Sequence, residues 1–314
     1  MKRRLVRLAG YALLALSVVF LGQRFYSNFS NLTAIQLGWP FYVALAIACI
    51  SYGVLLLFAV AALKIILKGL GAPDPSFTHV LVFHGRTNIA KYLPGNIFHF
   101  VGRQMIAKSF GWSQATVGIS SLIETGLVAL GAGLSILLFA CVSDIAPVSK
   151  LWPGINPLAL LAAAVIGIAI LWLICAHAVR IPLLARYASA THIYNFSRSI
   201  NPLLALLVFT FFFLAGGTIF WSLKAALTGG LPWHLIASMG FAYSASWLIG
   251  NVSPGAPGGI GVREAMLVLL LGGIISEAEA LMLAAGMRIV TIFGDFFLFG
   301  LAAMFKPETL QSTK

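Results

Sequence analysis

Three ionisable side chains lie inside long apolar runs, where a charge is costly. Glu124 occurs in ISSLIETGLVALG, Arg288 in LAAGMRIVTIFG and Asp295 in IFGDFFLFG. At the centre of a bilayer such a group costs about 2.5–3.5 kcal/mol, so these residues are candidates for ligand binding or proton transfer. Arg288 and Asp295 are seven residues apart, which is two helical turns, so they are expected to face the same way. We expect Glu124 to pair with Arg288; the alternative role is a structural ion pair that only holds two helices together.

A second candidate is a segment rich in proline and glycine, NVSPGAPGGIGVREA, which begins at Asn251. Its two prolines and four glycines make it a poor continuous helix. A similar segment, YLPGNIFHFVGRQ, occurs earlier: Arg103 lies nine residues after Pro94, as Arg263 lies nine residues after Pro254. The match predicts an internal duplication, each copy containing a helix hairpin broken at Pro-Gly.

Such breaks are suited to binding an anionic group. Backbone groups freed by a break are tolerated in a bilayer only where protein or a water-filled cavity satisfies them. The helix after the break directs the positive end of its dipole into that cavity, and Arg103 and Arg263 add charges that can hold phosphate through two hydrogen bonds. The alternative is a packing corner in which Arg263 and Glu264 pair with each other. The candidate substrate-binding residues are Arg103, Arg263, Glu264, Glu124, Arg288, Asp295, Gly95, Gly255, Gly258 and Gly259.

The composition assigns these residues to a membrane protein. Of 314 residues, 60% are hydrophobic and 9% are charged, with a mean hydropathy of +0.99, whereas soluble domains carry roughly 25% charged residues. Apolar runs long enough for membrane spans occur at about 8–22, 40–63, 113–141, 156–178, 200–224, 233–251 and 278–304. The two breaks lie in shorter, more polar segments at about 77–110 and 252–275. We predict an all-α polytopic membrane protein with about 7–9 helical segments, a single transmembrane domain over 1–314, and repeat-like units at about 77–141 and 233–304.

The basic residues predict the orientation of the chain. With the N-terminus in the cytoplasm, one face receives eleven Lys and Arg residues and the other receives three, Arg24, Lys150 and Lys224. Cytoplasmic loops carry such an excess, so both termini are predicted to be cytoplasmic and the protein to lie in the cell inner membrane. The two broken hairpins then enter from opposite faces, an inverted repeat that is typical of transporters.

Other side chains are expected at the membrane interface. Lys91 and Arg86 are predicted to extend toward lipid headgroups. His84 and His99 flank the first break and are expected to be hydrogen-bonded rather than to relay protons. Tryptophans near the ends of segments are predicted to anchor the interface: Trp39, Trp112, Trp152, Trp221 and Trp233.

Several function classes have no motif here. The three cysteines lie in apolar runs without CxxC spacing or a histidine partner, so no metal or redox site is predicted. The sequence contains no P-loop, no Asp-x-Asp motif for a metal-bound nucleotide-sugar and no recognisable nucleophile–base spacing. The net charge of +12 is explained by orientation in the membrane rather than by nucleic acid. We therefore predict no enzyme activity, no cofactor, no metal and no nucleic-acid partner.

At the two breaks the sequence resembles the transmembrane region of lysylphosphatidylglycerol synthases, a flippase-like family. The resemblance is carried by PGGIGVREA, from Pro257 to Ala265, and more loosely by KYLPG from Lys91 with Gly102-Arg103. It implies an all-helical transporter that moves an amphipathic lipid between leaflets, aminoacylated phosphatidylglycerol in some members and polyprenyl-phosphate-linked sugars or hopanoid intermediates in others. Only about ten residues follow the last apolar run, so we expect no soluble aminoacyl-transfer domain and no lysine transfer from tRNA.

The sequence therefore favours an inner-membrane transporter of a phosphate-containing lipid or a polyprenyl-phosphate-linked intermediate. Arg103 and Arg263 would hold the phosphate, and the remaining charges would rearrange as the repeats move. The substrate is a membrane lipid or lipid-linked saccharide, and envelope-biosynthesis enzymes are possible partners. Two alternatives stay open: a non-transporting membrane partner of a glycosyltransferase, and a lipid-modifying enzyme that uses Glu264 or Glu124 as a base.

Overall fold

The long apolar runs form helices in the computed structural model, which describes residues 19–93, 97–142, 156, 158–167, 195–196, 199–253 and 256–305. Five helices in these ranges are long and apolar enough to cross a membrane, which supports a multi-pass membrane protein: Trp39–Gly69, Gln114–Val142, Asn201–Thr228, Trp233–Val252 and Glu277–Ala303. No strand occurs in the described ranges. The predicted run at 8–22 lies largely outside them, and of the run at 156–178 they include the helix Leu158–Gly167.

Eight helices form the part of the molecule that carries the candidate residues. In chain order they are α1 Trp39–Gly69, α2 Phe77–Asn88, α3 Phe98–Ile106, α4 Gln114–Val142, α5 Asn201–Thr228, α6 Ile236–Val252, α7 Val262–Leu271 and α8 Glu277–Ala303. Short 3₁₀ turns follow α2 at Ile89–Tyr92, follow α3 at Ala107–Phe110 and precede α7 at Pro257–Gly259. The predicted breaks thus separate α2 from α3 and α6 from α7, giving two helix hairpins.

Each hairpin returns to the end of the bundle from which it starts. Trp112, after the first hairpin, donates its indole N–H to the carbonyl of Pro73, before that hairpin, at 2.9 Å. Lys224, before the second hairpin, contacts Glu279, after it, at 2.6 Å. Each hairpin therefore begins and ends at the same end of the bundle and is followed by a long helix.

The central pair of long helices, α1 and α5, is antiparallel. The last residue of α1, Gly69, lies beside Asn201 at the start of α5, and further along the pair the rings of Phe58 and Phe211 are 5.2 Å apart. Because the C-terminal end of one helix adjoins the N-terminal end of the other, the hairpin after α1 and the hairpin after α5 enter from opposite ends of the bundle.

The remaining contacts are reciprocal between the two halves of the chain. Helix α8 lies against α1 as α4 lies against α5, and the first hairpin arm α2 packs on α8 as the arm α6 packs on α4. Glycines permit these close approaches: a Cβ on Gly131 would lie 2.9 Å from the backbone of Phe209, and one on Gly85 would lie 3.0 Å from the carbonyl oxygen of Leu298. Each long helix after a hairpin therefore packs on the opposite half.

The tips of the two hairpins meet inside the bundle. The turn Ile89–Tyr92 packs against the turn Pro257–Gly259, and a Cβ on Gly258 would lie 3.2 Å from the ring of Tyr92. Gly258 also has a φ of 56°, in the left-handed region that glycine adopts readily. The absence of a side chain at Gly258 permits both the turn and the close approach of the other hairpin.

The prediction for Trp112 at the interface is wrong. Its side chain is 2% exposed and packs on Phe83 and Phe110, with ring centroids 5.0 Å from each. The indole is buried at the base of the first hairpin, whereas Trp39 and Trp233 are exposed at the starts of helices.

Candidate functional site

A cavity of about 200 Å³ lies where the hairpins meet the long helices. Both halves of the chain contribute to its wall, which combines aromatic rings with charged and amide side chains. Its lining residues that carry the following argument are Tyr52, Lys91, Arg103, Glu124, Trp247 and Arg263. The two arginines selected from the matched breaks thus reach one cavity.

Arg103 is buried, and its two terminal nitrogens bind partners within the first half, whereas its Nε has no hydrogen-bond partner among the described residues. Its guanidinium makes a two-oxygen contact with Glu124, and it also donates to the hydroxyl of Ser121 at 3.2 Å. A further N–H donates to Nδ1 of His84 at 2.9 Å. Since a guanidinium only donates, this ring nitrogen is the acceptor and carries no proton, so His84 is neutral. Within the described ranges, Glu124 is the one carboxylate that pairs with Arg103.

Asp295 connects α8 to the tip of the first hairpin. Its carboxylate accepts from Asn88 at 2.8 Å, from Lys91 at 2.8 and 2.9 Å, and from the hydroxyl of Tyr92 at 2.5 Å. Its side chain is 1% exposed. Three hydrogen bonds and the ion pair with Lys91 offset the cost of burying this charge, and they link one half of the chain to the other.

Glu264 and Arg288 form the third ion pair, next to the second break. Arg288 Nε lies 3.2 Å from a Glu264 oxygen, and the other oxygen accepts the backbone N–H of Gly261 at 2.7 Å at the start of α7. Arg288 also donates to the carbonyl of Gly258 at 3.3 Å. This pair therefore holds the second hairpin tip to α8.

Arg263 differs from the other cations. It has no carboxylate within ion-pair distance in the described part of the chain. Its Nε is buried without a hydrogen-bond partner there, as are Nε of Arg103 and Nη2 of Arg288. Its guanidinium carbon lies 4.9 Å from the centre of the Trp247 ring, a cation–π contact. Gly250 and Gly259 make room for the side chain, since a Cβ on either would collide with it.

Two of the predicted contacts are wrong, and the alternative pairing of Arg263 with Glu264 does not occur either. Glu124 pairs with Arg103 rather than Arg288, and Glu264 pairs with Arg288 rather than Arg263. Lys91 binds buried Asp295 instead of extending to headgroups. The physical reason is the same in each case: the hairpins return within the bundle, which brings their charges to the nearest long helix at a depth that linear spacing does not encode.

Of the other candidate residues, three lie at or near the second hairpin tip and two lie outside the described residues. Gly258 and Glu264 lie at the second hairpin tip, and Gly259 lies beside Arg263. Gly95 and Gly255 lie outside the described residues. Histidines behave as expected at His84, which is hydrogen-bonded, whereas Nδ1 of His99 has no partner among the described residues.

Sequence reasoning missed Asn88, Lys91, Tyr92 and Asn251 as site residues. One signal was present: Lys91 lies three residues before Pro94, as Asn251 lies three residues before Pro254. Aligning the breaks on their prolines therefore selects both cavity-lining residues. No group of three or more His, Cys, Asp or Glu side chains among the described residues is arranged to hold a metal ion.

Comparison of the chain with family models, with curated proteins and with solved structures finds no match. The resemblance to the lysylphosphatidylglycerol synthase region therefore rests on the break motifs alone.

Proposed function

We propose that this protein is a lipid transporter of the cell inner membrane that moves a phosphate-containing lipid or a polyprenyl-phosphate-linked intermediate between leaflets. The observation that carries the proposal is Arg263, a cation in the cavity wall that has no carboxylate partner in the described structure. An unpaired charge in a low-dielectric interior is costly. A bound anionic headgroup would supply the missing partner.

The arrangement of the hairpins supports an inverted repeat. In the proposed repeat, α1, α2, α3 and α4 correspond to α5, α6, α7 and α8. Exchanging the two sets reproduces the packing: α1 on α8 becomes α5 on α4, and α2 on α8 becomes α6 on α4. The antiparallel direction of α1 and α5 makes the repeat inverted, and transporters of this type bind substrate where the broken helices of the two repeats meet.

The ion pairs suggest how the two repeats would move. The Arg103–Glu124 and Glu264–Arg288 pairs each lie within one proposed repeat, whereas the Asp295–Lys91 pair joins one repeat to the other. Rocking of the repeats would keep the first two pairs and strain the third. Asp295 and its partners are therefore the proposed latch of the closed state.

The proposed topology follows the charge bias of the sequence. The first hairpin would enter from the cytoplasm and the second from the opposite face, with both termini cytoplasmic. On the outer face, Lys224 is 2.6 Å from Glu279 and Arg24 is 2.8 Å from Glu277. Arg24 and Lys224 therefore lie at the same end of the bundle, beside the start of α8, as the proposed topology requires.

The non-transporting alternatives remain predictions. A packing partner of a glycosyltransferase has no need for an unpaired arginine in a cavity, and Glu264 and Glu124, the carboxylates proposed as bases, are each held by an arginine. These observations favour transport over both alternatives. Association with envelope-biosynthesis enzymes is compatible with transport and is part of the proposal.

The test is a translocation assay in proteoliposomes with lipids that carry a fluorophore on an acyl chain. We expect Arg263→Gln to reduce the translocation of acidic phospholipid at least about tenfold, which corresponds to ~1.4 kcal/mol. Lys108→Gln is the matched control, because it removes one positive charge from an exposed position outside the cavity. Equal rates for wild type and Arg263→Gln would contradict the headgroup role, and a rate no higher than empty liposomes for any lipid would contradict transport.

A further inference from the structure

The charges around the cavity limit the charge of the headgroup. Four cations lie in or directly next to the cavity wall: Lys91, Arg103, Arg263 and Arg288. Three carboxylates neutralise three of them, in the pairs Lys91–Asp295, Arg103–Glu124 and Arg288–Glu264. The two histidines described in the wall, His84 and His99, add no positive charge to this count. His84 is neutral because its Nδ1 accepts a hydrogen bond from Arg103, and His99 is counted in the neutral form that is ordinary for histidine at pH 7. One positive charge, that of Arg263, remains.

We infer that the site selects a phosphodiester with a single negative charge and a neutral, hydroxylated headgroup. This inference rests on the proposed transport function and specifies its substrate. A phosphodiester offers one negative charge to the one unpaired cation. A phosphomonoester carries about −1.5 to −2 at pH 7, and the excess negative charge would lie in the cavity without a partner, at a high cost in desolvation.

The polar atoms of the wall indicate what accompanies the phosphate. The side chain of Asn251 lines the cavity and makes no hydrogen bond to another described residue, so its amide offers both donors and an acceptor. Nδ1 of His99 is likewise unpartnered. These neutral groups suit hydroxyls, which both donate and accept, and no carboxylate in the wall is free for a cationic headgroup.

The aromatic part of the wall is consistent with the same headgroup. Trp247 places its ring under the Arg263 guanidinium at 4.9 Å, and Tyr52, Phe100 and Phe212 complete an apolar surface beside it. An aromatic surface next to amide and imidazole groups is the usual composition of a small-molecule site. An aminoacylated headgroup with an extra positive charge would instead be repelled by Arg263.

The experiment compares headgroups that differ mainly in charge, each with the same acyl-linked fluorophore. Wild-type proteoliposomes would receive phosphatidylglycerol as the monoanionic diester, phosphatidic acid as the phosphomonoester and phosphatidylcholine as the zwitterion. We expect phosphatidylglycerol to move at least about tenfold faster than either of the others. Unlabelled polyprenyl glycosyl phosphate is added as a competitor: inhibition identifies a glycosylated polyprenyl diester as a ligand of the site, and lack of inhibition restricts the site to the glycerol lipid.

Charge variants of the wall test the inference independently. Glu124→Gln releases the charge of Arg103 and should shift the preference toward phosphatidic acid about tenfold. The double variant Arg103→Gln with Glu124→Gln restores one net charge and should restore the wild-type preference. Arg263→Gln removes the net charge and should give phosphatidylcholine the advantage over phosphatidylglycerol; it is informative even where Glu124→Gln does not fold.

The outcomes separate the two proposals. Transport in which phosphatidic acid equals or exceeds phosphatidylglycerol, or a preference that does not change in the charge variants, overturns the inference and leaves lipid transport standing. Absence of transport for every lipid overturns the proposed function and the inference with it.

Discussion

At the scale of single residues, the position of Arg263 depends on two glycines. Gly250 and Gly259 each leave the space that a methyl group would take from the arginine side chain. Gly250 lies one residue before the proline- and glycine-rich stretch that begins at Asn251, and Gly259 lies within that stretch. A glycine-rich sequence therefore acts here both by allowing the turn and by admitting a long cationic side chain.

Substitution at Gly259 tests this role. Gly259→Ala places a Cβ 2.5 Å from Nε of Arg263 and should reduce acidic-lipid translocation at least about fivefold, because the guanidinium must move off Trp247. The control is Gly273→Ala: both glycines have positive φ, 73° and 80°, so both alanines carry a backbone cost of roughly 1–2 kcal/mol, but nothing lies within 4 Å of a Cβ at Gly273. Translocation that falls equally in both variants would attribute the effect to backbone strain alone.

At the scale of elements, the structure connects the first hairpin to the far half of the chain through Asp295. The hairpin tip contributes three donors to this one carboxylate. The first hairpin arm also packs along α8. Asp295 is therefore the polar anchor of an otherwise apolar contact.

Removal of the charge at Asp295 should loosen the hairpin tip. Asp295→Asn leaves Lys91 without a counter-charge and should destabilise the fold by about 3–5 kcal/mol, measured by thermal unfolding in detergent. Hydrogen exchange at residues 89–92 should accelerate. Glu277→Gln breaks the exposed pair with Arg24, in which the side chains are 45% and 33% exposed, and should cost no more than about 1 kcal/mol. Equal effects of the two variants would show that Asp295 does not anchor the tip.

At the scale of the whole molecule, the two hairpins meet because α1 and α5 run in opposite directions. Each hairpin starts at the C-terminal end of one of these helices and extends into the bundle, where its tip contacts the tip of the other hairpin. Residues at the bases of the hairpins then lie at opposite ends of the bundle. The proposed inverted repeat turns this geometry into a prediction about membrane sides.

Labelling of single cysteines tests the topology. In a variant without Cys49, Cys141 and Cys175, a membrane-impermeant thiol reagent added to intact cells should label Gly230→Cys and leave Lys108→Cys unlabelled. Both positions are exposed, and Lys108 should be labelled after the membrane is opened. Labelling of both positions from the same side would contradict the inverted arrangement of the hairpins.

Much of the element pattern follows from local properties of the sequence. Apolar runs of membrane-spanning length produce the helices, because a backbone without water must satisfy its own hydrogen bonds. The Pro-Gly segments separate the arms of each hairpin, since proline lacks an N–H and glycine favours other conformations. The arginines that follow these breaks in the sequence line the cavity, as Arg263 illustrates.

The partners of the charges were decided only by the tertiary structure. Periodicity along one helix predicts the face on which the side chain of Arg288 or Asp295 lies. Its ion-pair partner depends on which other helix packs against that face and at what depth in the bundle. Glu124 is saturated by Arg103 from its own half, whereas Asp295 takes its partners from the other half. Arg263 has no carboxylate partner among the described residues, and the carboxylate of its neighbour Glu264 contacts Arg288 instead. That choice is a property of packing in three dimensions, since adjacent side chains on a helix diverge and each meets a different surface.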